Sequence, residues 1–330
     1  MNFYLIGSDY KTAQLRVRED LYRKRKAIVD FWKSWNSVEV EILSTCNRFE
    51  VYLAAEEALE QIELFKKEFP VFSGQSYTKL GRDAVFGHAL RVACGLESQI
   101  KGEIQILEQI KHWRENFQSF ILKEFWAEVI NLAEVIRIKS GLDTQLDSIA
   151  SPIMEELKKQ RKGTSVFNVV VVGTGKIAEL FADLKDPEIH FYFAAHKNYR
   201  KAEELAKRSR GEPVLLKNLP QILSKAHALI SATSSPHFVL GKKDFLAVQE
   251  SLYLYDLALP RDINPDVAQV KGVVLRNLDD LTSLFEGHNN KIRERLDLAE
   301  CLVEEIVEGE PDEDSVAAGN AAQPFGLKTG

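Results

Sequence analysis

Two short segments of this 330-residue sequence carry residue types whose spacing suits chemistry. Cys46 ends an alternating strand pattern and has Arg48 close behind it. Because a nearby guanidinium favours the thiolate, this pattern indicates a nucleophilic cysteine. Gly173, Gly175 and Ala178 follow a run of valines with the spacing G-x-G-x-x-A. Between a strand and a helix, this spacing allows a tight turn and a close approach of the backbone to a pyrophosphate, so it predicts a dinucleotide site.

Free cysteines are commonly small buried hydrophobes, and the local sequence alone leaves this alternative open for Cys46. The same interpretation suits Cys94 and Cys301 better, because the neighbours of Cys46 are polar. His88 is a further candidate for proton transfer. It lies in an apolar segment, however, where a histidine is more often a core or capping residue.

The stretch 95–106 is unusual for a plain helix, because it contains two glycines and several polar residues among apolar ones. Polar groups need partners if they are buried. The pattern therefore predicts either side chains that face a polar ligand, with Ser98, Glu103 and Gln105 as candidates, or a turn that leads into an ordinary helix.

Strand and helix patterns must position these residues. In the first 155 residues, alternating patterns predict strands at 3–7, 38–43 and 50–54, and helical spacing covers 82–115, 120–139 and 154–161. From residue 166 short apolar runs alternate with helical stretches, with strands predicted at 168–172, 190–195, 227–232, 252–258 and 272–275. Such alternation is typical of a parallel α/β sheet. A charged amphipathic helix is predicted to follow and to end near residue 307.

Composition restricts the class of protein. The sequence is 45% hydrophobic and 28% charged, as in ordinary globular proteins, and it has no apolar run long enough to span a membrane. Its start does not resemble a secretory signal. Three scattered cysteines indicate neither a disulfide framework nor a metal site, so a reducing compartment, the cytoplasm, is expected.

The net charge of −6 at first speaks against a nucleic-acid partner. Residues 300–314 hold eight acids and no base, however, and without those charges the remainder is +2. Basic clusters that could contact phosphates stand at Arg16, Arg18, Arg23, Lys24, Arg25 and Lys26, and at Lys158, Lys159, Arg161 and Lys162.

The segment after the second predicted strand of the α/β region favours one dinucleotide. NAD sites usually carry an acid there for the ribose 2′-hydroxyl. Here the segment 194–200 has no acid and offers Lys197 and Arg200 to a 2′-phosphate. NADPH is therefore the predicted cofactor, although the same charges could simply be solvated at the start of the next helix.

Together these segments resemble the glutamyl-tRNA reductase family. The resemblance extends over residues 3–307 and rests on motifs in the family's order, at 11–19, 44–52, 88–98, 102–107, 230–233, 256–263 and 277–281. It implies NADPH-dependent reduction of glutamyl-tRNA(Glu) to glutamate-1-semialdehyde through a cysteine thioester, the first step of the five-carbon route to 5-aminolevulinate and tetrapyrroles.

The resemblance also implies site residues. Cys46 matches the nucleophile, and His88 matches a histidine important for activity. The family's substrate-contacting positions fall on Thr45, Asn47, Arg48, Ser98, Glu103, Ile104, Gln105 and Gln109. Cofactor-binding positions fall on Gly173, Thr174, Gly175, Lys176, Ile177, Ala178 and Lys197. A guanidinium such as that of Arg48 is suited to a bidentate grip on the glutamate carboxylate.

The predicted fold class is an α/β multidomain protein. An α+β catalytic and glutamyl-recognition domain covers 1–155, and a Rossmann-like NADPH-binding domain with a parallel sheet covers 156–282. A short helical dimerisation segment covers 283–308, and residues 309–330 form a tail predicted to be disordered. The shortness of the helical segment speaks against the family's usual V-shaped dimer, although the helix at 283–307 could still pair.

Some positions depart from the family pattern. Tyr10 and Gln14 replace the usual His and Pro, and Phe49 replaces a Thr. Lys197 keeps a base where an Arg is usual but lacks its planar fork, so a weaker contact with a 2′-phosphate is expected. The family also implies handover of the aldehyde to glutamate-1-semialdehyde aminomutase as a partner.

Two alternatives stay open at the level of the sequence. A shikimate-dehydrogenase-like oxidoreductase that acts on a free small molecule would share the nucleotide domain and need no cysteine. A non-catalytic paralogue that binds tRNA or another partner would keep the fold without turnover.

Overall fold

The computed structural model describes residues 1–143, 149–160, 166–184, 186–246, 248 and 251–309. The predicted tail at 309–330 lies outside the described residues, apart from Gly309. Among the described residues, no helix is long and apolar enough to cross a membrane.

An antiparallel four-stranded sheet organises the N-terminal half, with the strand order β2-β3-β1-β4. Its strands are β1 (Asn2–Asp9), β2 (Glu39–Ser44), β3 (Arg48–Ala55) and β4 (Tyr77–Leu80). The helices of this half are α1 (Leu15–Lys33), α2 (Leu59–Glu68), α3 (Arg82–Ala93), α4 (Gln105–Arg114) and α5 (Phe120–Ser140). Because β3 is central and entirely buried, the hairpin β2–β3 has a fixed register, with Ser44 opposite Phe49.

A parallel six-stranded sheet organises the second half, with the order β10-β9-β8-β5-β6-β7. Its strands are β5 (Phe167–Val172), β6 (Ile189–Ala195), β7 (Glu212–Leu215), β8 (Ala228–Ser231), β9 (Leu252–Asp256) and β10 (Val273–Asn277). The helices around it are α6 (Ala150–Gln160), α7 (Lys176–Asp183), α8 (Tyr199–Ser209) and α9 (Leu219–Leu223). This is the doubly wound order, and ligands bind such sheets where the order reverses, here between β5 and β8.

The predicted α+β class of the first half and the predicted parallel sheet of the second half are confirmed, and each predicted strand overlaps an observed one. The helical spacing over 82–115 was wrong as one unit: α3 and α4 are separated by a turn in which Gly95 and Gly102 have φ values of +80° and +77°. His88 lies in the middle of α3. Strands β4 and β7 were missed, because each has only four residues and little alternation.

The C-terminal helical segment consists of two helices that serve different halves. Helix α10 (Thr282–Lys291) packs Phe285 against the core of the parallel sheet. Helix α11 (Arg293–Glu308) instead packs Leu296, Ala299 and Val303 into the core formed with α3 and α5. The apolar side of α11 is thus covered by its own chain.

The predicted boundary after residue 155 falls inside α6. Ile153, Met154 and Leu157 of this helix belong to the core of the parallel sheet. The whole of α6 therefore packs with the second half, and the exact domain limits stay a prediction.

We expect Val303→Ala to lower the free energy of unfolding by about 2 kcal/mol, because it removes buried methyl groups from the contact between α11 and α3–α5. Leu298→Ala is the matched control on the same helix, since Leu298 is 46% exposed, and it should change stability by less than about 0.5 kcal/mol. Urea denaturation followed by circular dichroism measures both. Equal losses of stability in the two variants would contradict the packing of α11 against α3 and α5.

Candidate active site

A narrow pocket of about 70 Å³ brings together residues from both halves of the chain. Eight of the predicted site residues line it: Thr45, Cys46, Asn47, Glu103, Gln105, Gln109, Lys176 and Ile177. Five further residues complete the wall: Gln99, Ile100, Ile149, Leu278 and Phe285. The cysteine hairpin and the start of α7, the helix that follows the glycine-rich loop, therefore line one pocket, although they are about 130 positions apart in the sequence.

Cys46 occupies the short connection between β2 and β3. The N–H of Thr45 donates to the Arg48 carbonyl at 2.9 Å, and the N–H of Asn47 donates to Thr45 Oγ1 at 3.2 Å. The Asn47 carbonyl accepts from the N–H of Tyr10 at 2.9 Å, which ties the connection to the end of β1. These bonds close a tight hairpin that presents the half-buried thiol to the pocket.

The thiol is not activated in this arrangement. Burial and the carboxylate of Glu103 together raise the pKa of Cys46 to about 11, and the guanidinium of Arg18 opposes them. Arg48 lowers this pKa as the sequence predicts, but less than Arg18 does, and burial and Glu103 outweigh both guanidinium groups.

Arg48 belongs to a buried cluster behind the pocket whose centre is the Glu50 carboxylate. Arg48 Nη1 donates to Glu50 Oε1 at 3.0 Å, and the same oxygen lies 2.8 Å from His88 Nε2 and accepts from the Tyr77 hydroxyl at 2.5 Å. Oε2 accepts from the Tyr52 hydroxyl at 2.7 Å. Although burial opposes it, the guanidinium of Arg48 and the ring of His88 hold the pKa of Glu50 well below its usual range.

Two predicted site residues therefore lie beside the pocket rather than in its wall. The guanidinium of Arg48 is also bonded to the Glu97 carbonyl, so it has protein partners where a substrate carboxylate was expected. His88 contacts Glu50 and lies against Tyr77, with ring centroids 5.3 Å apart. A contact of substrate with the Nη atoms of Arg48 or with His88 Nε2 would require these partners to be exchanged, whereas Arg48 Nε is buried without a hydrogen-bond partner among the described residues.

The unusual stretch 95–106 forms a turn that leads into α4, and the turn supplies one wall. Glu103 is buried and accepts from Asn47 Nδ2 at 3.2 Å, and burial raises the pKa of its carboxyl group. Gln105 Nε2 is buried without a hydrogen-bond partner in the described structure, so it is a donor available to a ligand in the pocket. Ser98 is buried inside the turn, and Ile104 is the residue before α4; neither lines the pocket.

Arg137 on α5 supports this turn from behind. Its Nη1 donates to the Cys94 carbonyl at 2.7 Å and its Nη2 to the Gly102 carbonyl at 2.8 Å. The two glycines of the turn cannot be replaced freely, since a Cβ on Gly102 would stand 2.8 Å from Leu142 Cδ2.

The loop between β5 and α7 has the form of a phosphate cradle. Gly173 has a φ of +113°, and a Cβ there would lie 2.5 Å from the Ala232 carbonyl oxygen. Thr174 leads to Gly175, the residue before α7, where a Cβ would meet nothing within 4 Å, so the backbone faces open space. Ala178 is fully buried. With the unpaired N–H groups at the start of α7, these residues fit the pyrophosphate of a dinucleotide.

Lys197 lies at the carboxyl end of β6, where the ribose of the first nucleotide lies in doubly wound folds. Its side chain is exposed, and so is that of Arg200 on α8. Sequence analysis did not identify Gln99, Leu278 or Phe285 as wall residues, although Gln99 lies in the stretch 95–106 and Leu278 in the motif at 277–281, because they reach the pocket only through the packing of the two halves.

Comparison with known proteins assigns both halves. The model of the glutamyl-tRNA(Glu) reductase N-terminal domain matches residues 6–140, and the model of shikimate/quinate 5-dehydrogenase matches residues 155–284. Glutamyl-tRNA reductase from Syntrophus aciditrophicus is 32% identical over 93% of this chain and 78% of its own length. The chain belongs to the glutamyl-tRNA reductase family. The enzyme of that name from Bacillus subtilis is 29% identical over 93% of this chain and 72% of its own length.

Among solved structures, glutamyl-tRNA reductase from Methanopyrus kandleri is 26% identical, with a TM-score of 0.49, over 93% of this chain and 78% of that chain. The family membership and the dehydrogenase-type second half make this protein an oxidoreductase of the nicotinamide-dependent class.

We expect Glu50→Gln to lower the free energy of unfolding at pH 7 by about 3–5 kcal/mol, because it leaves Arg48 buried without its counter-charge. Since the pKa of Glu50 is lowered on folding, its contribution is complete above the unfolded value of about 4.3 and disappears as the pH falls. The difference between wild type and variant should therefore narrow towards pH 3.

Urea denaturation at pH 7 and at pH 3 measures this difference. The exposed Glu57→Gln serves as the control and should stay within about 0.5 kcal/mol of wild type at both pH values. A gap for Glu50→Gln that is the same at both pH values would contradict the assigned role of the carboxylate.

Proposed function

We propose that this protein reduces glutamyl-tRNA(Glu) to glutamate-1-semialdehyde with NADPH, by way of a thioester on Cys46. The observation that carries the proposal is the single pocket in which Cys46 faces the first residues of α7, Lys176 and Ile177. A nucleophile and a dinucleotide loop in one pocket suit a reaction with an acyl-transfer step and a reduction step.

The thiol carries out the first step. Once deprotonated, Cys46 Sγ attacks the ester carbonyl carbon, the C–S bond forms, and the C–O bond to the tRNA 3′-oxygen breaks. That oxygen leaves with a proton as the 3′-hydroxyl. The resulting thioester accepts a hydride more readily than the ester, and the bound nicotinamide supplies the hydride. The thiohemiacetal on Cys46 then releases the aldehyde and regenerates the thiol.

Polar residues of the wall position the glutamyl group. Gln105 offers an unpaired donor, and Gln109, Thr45 and Asn47 stand beside the thiol. Glu103 orients Asn47. We assign Arg48 and His88 a supporting role in this state, because both bind Glu50 and thereby fix β3 directly behind the cysteine hairpin.

The pocket must widen during turnover. Its volume of about 70 Å³ is far below the about 300–1,000 Å³ of typical ligand sites. A glutamyl thioester and a nicotinamide ring cannot both enter without a movement of the two halves or of the loops between them. Entry and release are therefore candidates for the slow step.

The two alternative functions fit this pocket less well. A dehydrogenase that acts on a free small molecule has no use for a thiol in the wall. A non-catalytic binding protein has no use for a thiol in the same pocket as the first residues of the helix that follows the dinucleotide cradle.

Partners and compartment follow from the proposed reaction. Aminoacylated tRNA(Glu) is the substrate, and an aminomutase that consumes the aldehyde stays a prediction. A homodimer through the apolar side of α11 is disfavoured, because that side packs on α3 and α5. Three free cysteines, one of them half-buried in the pocket, suit the reducing cytoplasm.

Cys46→Ser should bind NADPH with unchanged affinity and form no aldehyde, because a serine hydroxyl in the same place lacks the nucleophilicity of a thiolate. The control is Cys301→Ser, since Cys301 is exposed on α11 and should be dispensable. NADPH oxidation with charged tRNA, compared with uncharged tRNA and free glutamate, measures the effect. Aldehyde formation by Cys46→Ser would refute the nucleophile.

Lys197→Ala should weaken NADPH binding about ten-fold and leave NADH binding nearly unchanged, because it removes one charged hydrogen bond to the 2′-phosphate. Lys207→Ala is the control on an exposed face of α8. Fluorescence titration with each cofactor measures the two affinities. If NADPH and NADH bind equally to wild type, the assignment of NADPH fails.

A further inference from the structure

Adjacent residues of α1 form two ion pairs of opposite polarity with the second half of the chain. Arg18 pairs through Nη2 with Asp279, just before α10, and Glu19 pairs with Arg261, in the loop after β9. Arg261 donates from Nε to Glu19 Oε1 at 3.0 Å and from Nη2 to Oε2 at 2.9 Å, so this contact is bidentate. We refer to these four residues as the clasp.

Only one of the two ion pairs, which we call the arms of the clasp, contacts Cys46. Arg18 Nη1 donates to the Cys46 carbonyl oxygen at 2.6 Å, while Nη2 of the same guanidinium binds Asp279. The other oxygen of Asp279 accepts from the N–H of Leu15 at 2.7 Å, which fixes the start of α1. Arg18 is 1% exposed, so these bonds form away from solvent.

The expectation that Arg18 contributes to a phosphate-binding surface is therefore wrong: its guanidinium is buried at the junction of the two halves. The planar fork of arginine can satisfy two acceptors in fixed directions, which a lysine ammonium cannot do in the same way. Arg18 thus connects the backbone of Cys46 to the segment that leads into α10.

We propose that Arg18 is a positioning residue for Cys46, and that through Asp279 it makes the reactivity of the thiol depend on the seating of the nucleotide-binding half. The proposal rests on the proposed function only in that Cys46 is the nucleophile. A carbonyl held from one side fixes the rotation of the hairpin, and with it the direction of Sγ. The positive charge also favours the thiolate against burial and Glu103.

The test compares two double variants that each remove one arm of the clasp without leaving a buried charge alone. Arg18→Met with Asp279→Asn removes the arm that touches Cys46. Glu19→Gln with Arg261→Met removes the arm that does not. Both are made in a Cys301→Ser background, because Cys301 is exposed and would also be alkylated, whereas Cys94 is fully buried.

The readout is the rate constant for alkylation of Cys46 by iodoacetamide between pH 7.5 and 10, with circular dichroism melts as the check of folding. Loss of the Arg18 arm should slow alkylation about ten-fold at pH 8, which corresponds to a rise of about one unit in the thiol pKa. Loss of the Glu19 arm should leave the rate within about two-fold. In turnover, the Arg18 arm should affect kcat and leave KM for NADPH unchanged.

Asp279→Asn alone separates the two contacts of Arg18, because it keeps the donor to Cys46 and removes the ion pair. We expect the rate of alkylation to differ from that of the parent, and an unchanged rate in this folded variant would overturn the coupling through Asp279. Equal rates for the parent and the folded Arg18→Met/Asp279→Asn variant would overturn the proposal, and so would equal slowing by both double variants. Alkylation requires neither tRNA nor cofactor, so a failure of the proposed reductase function, seen as turnover by Cys46→Ser, would be recognised separately.

Discussion

The Glu50 carboxylate is fully buried, and four side chains from two strands and one helix converge on it. Removal of a carboxylate from water costs several kcal/mol, and this cost is offset only when its hydrogen bonds and counter-charge are in place. The cluster therefore forms only if β3, β4 and α3 adopt one mutual arrangement. The ring of Tyr77 lies over Gly7, where a Cβ would stand 2.6 Å from it, so even β1 is included. The cysteine hairpin leads directly into β3, so the same arrangement fixes its position.

The cysteine hairpin belongs to the first half and the phosphate cradle to the second. Their relative position therefore depends on the junction between the two halves. Polar and directional contacts cross this junction: the clasp of α1, and the bonds that Asn289 makes with the turn at 99–101. Leu15 and Ile100 add apolar contacts with the core of the parallel sheet. The polar contacts can be exchanged more readily than an apolar interface of similar size. An opening of the junction would enlarge the small pocket at the cost of the contacts that Leu15 and Ile100 make with the core of the parallel sheet.

Much of this protein could be predicted from local patterns. Runs such as Val169–Val172 predict buried strands, and the spacing of Gly173 and Gly175 predicts the cradle, because backbone geometry follows from a few neighbouring residues. Helix α11 was predicted as an amphipathic helix, but the surface that its apolar side would cover could not be inferred. The break at Ile292, which sends α10 to one core and α11 to the other, has no signal as strong as a proline.

The sequence by itself determined the two sheets, the dinucleotide loop and the cysteine with its family signature, since these are short-range properties of composition and spacing. Only the tertiary structure decided the partners of each charge. Arg48 was expected to face a substrate carboxylate and instead binds Glu50, and Arg18 was expected at a phosphate and instead supports Cys46. The physical reason is that an ion pair depends on distances of a few ångströms in space, and burial selects the partner that leaves no charge uncompensated.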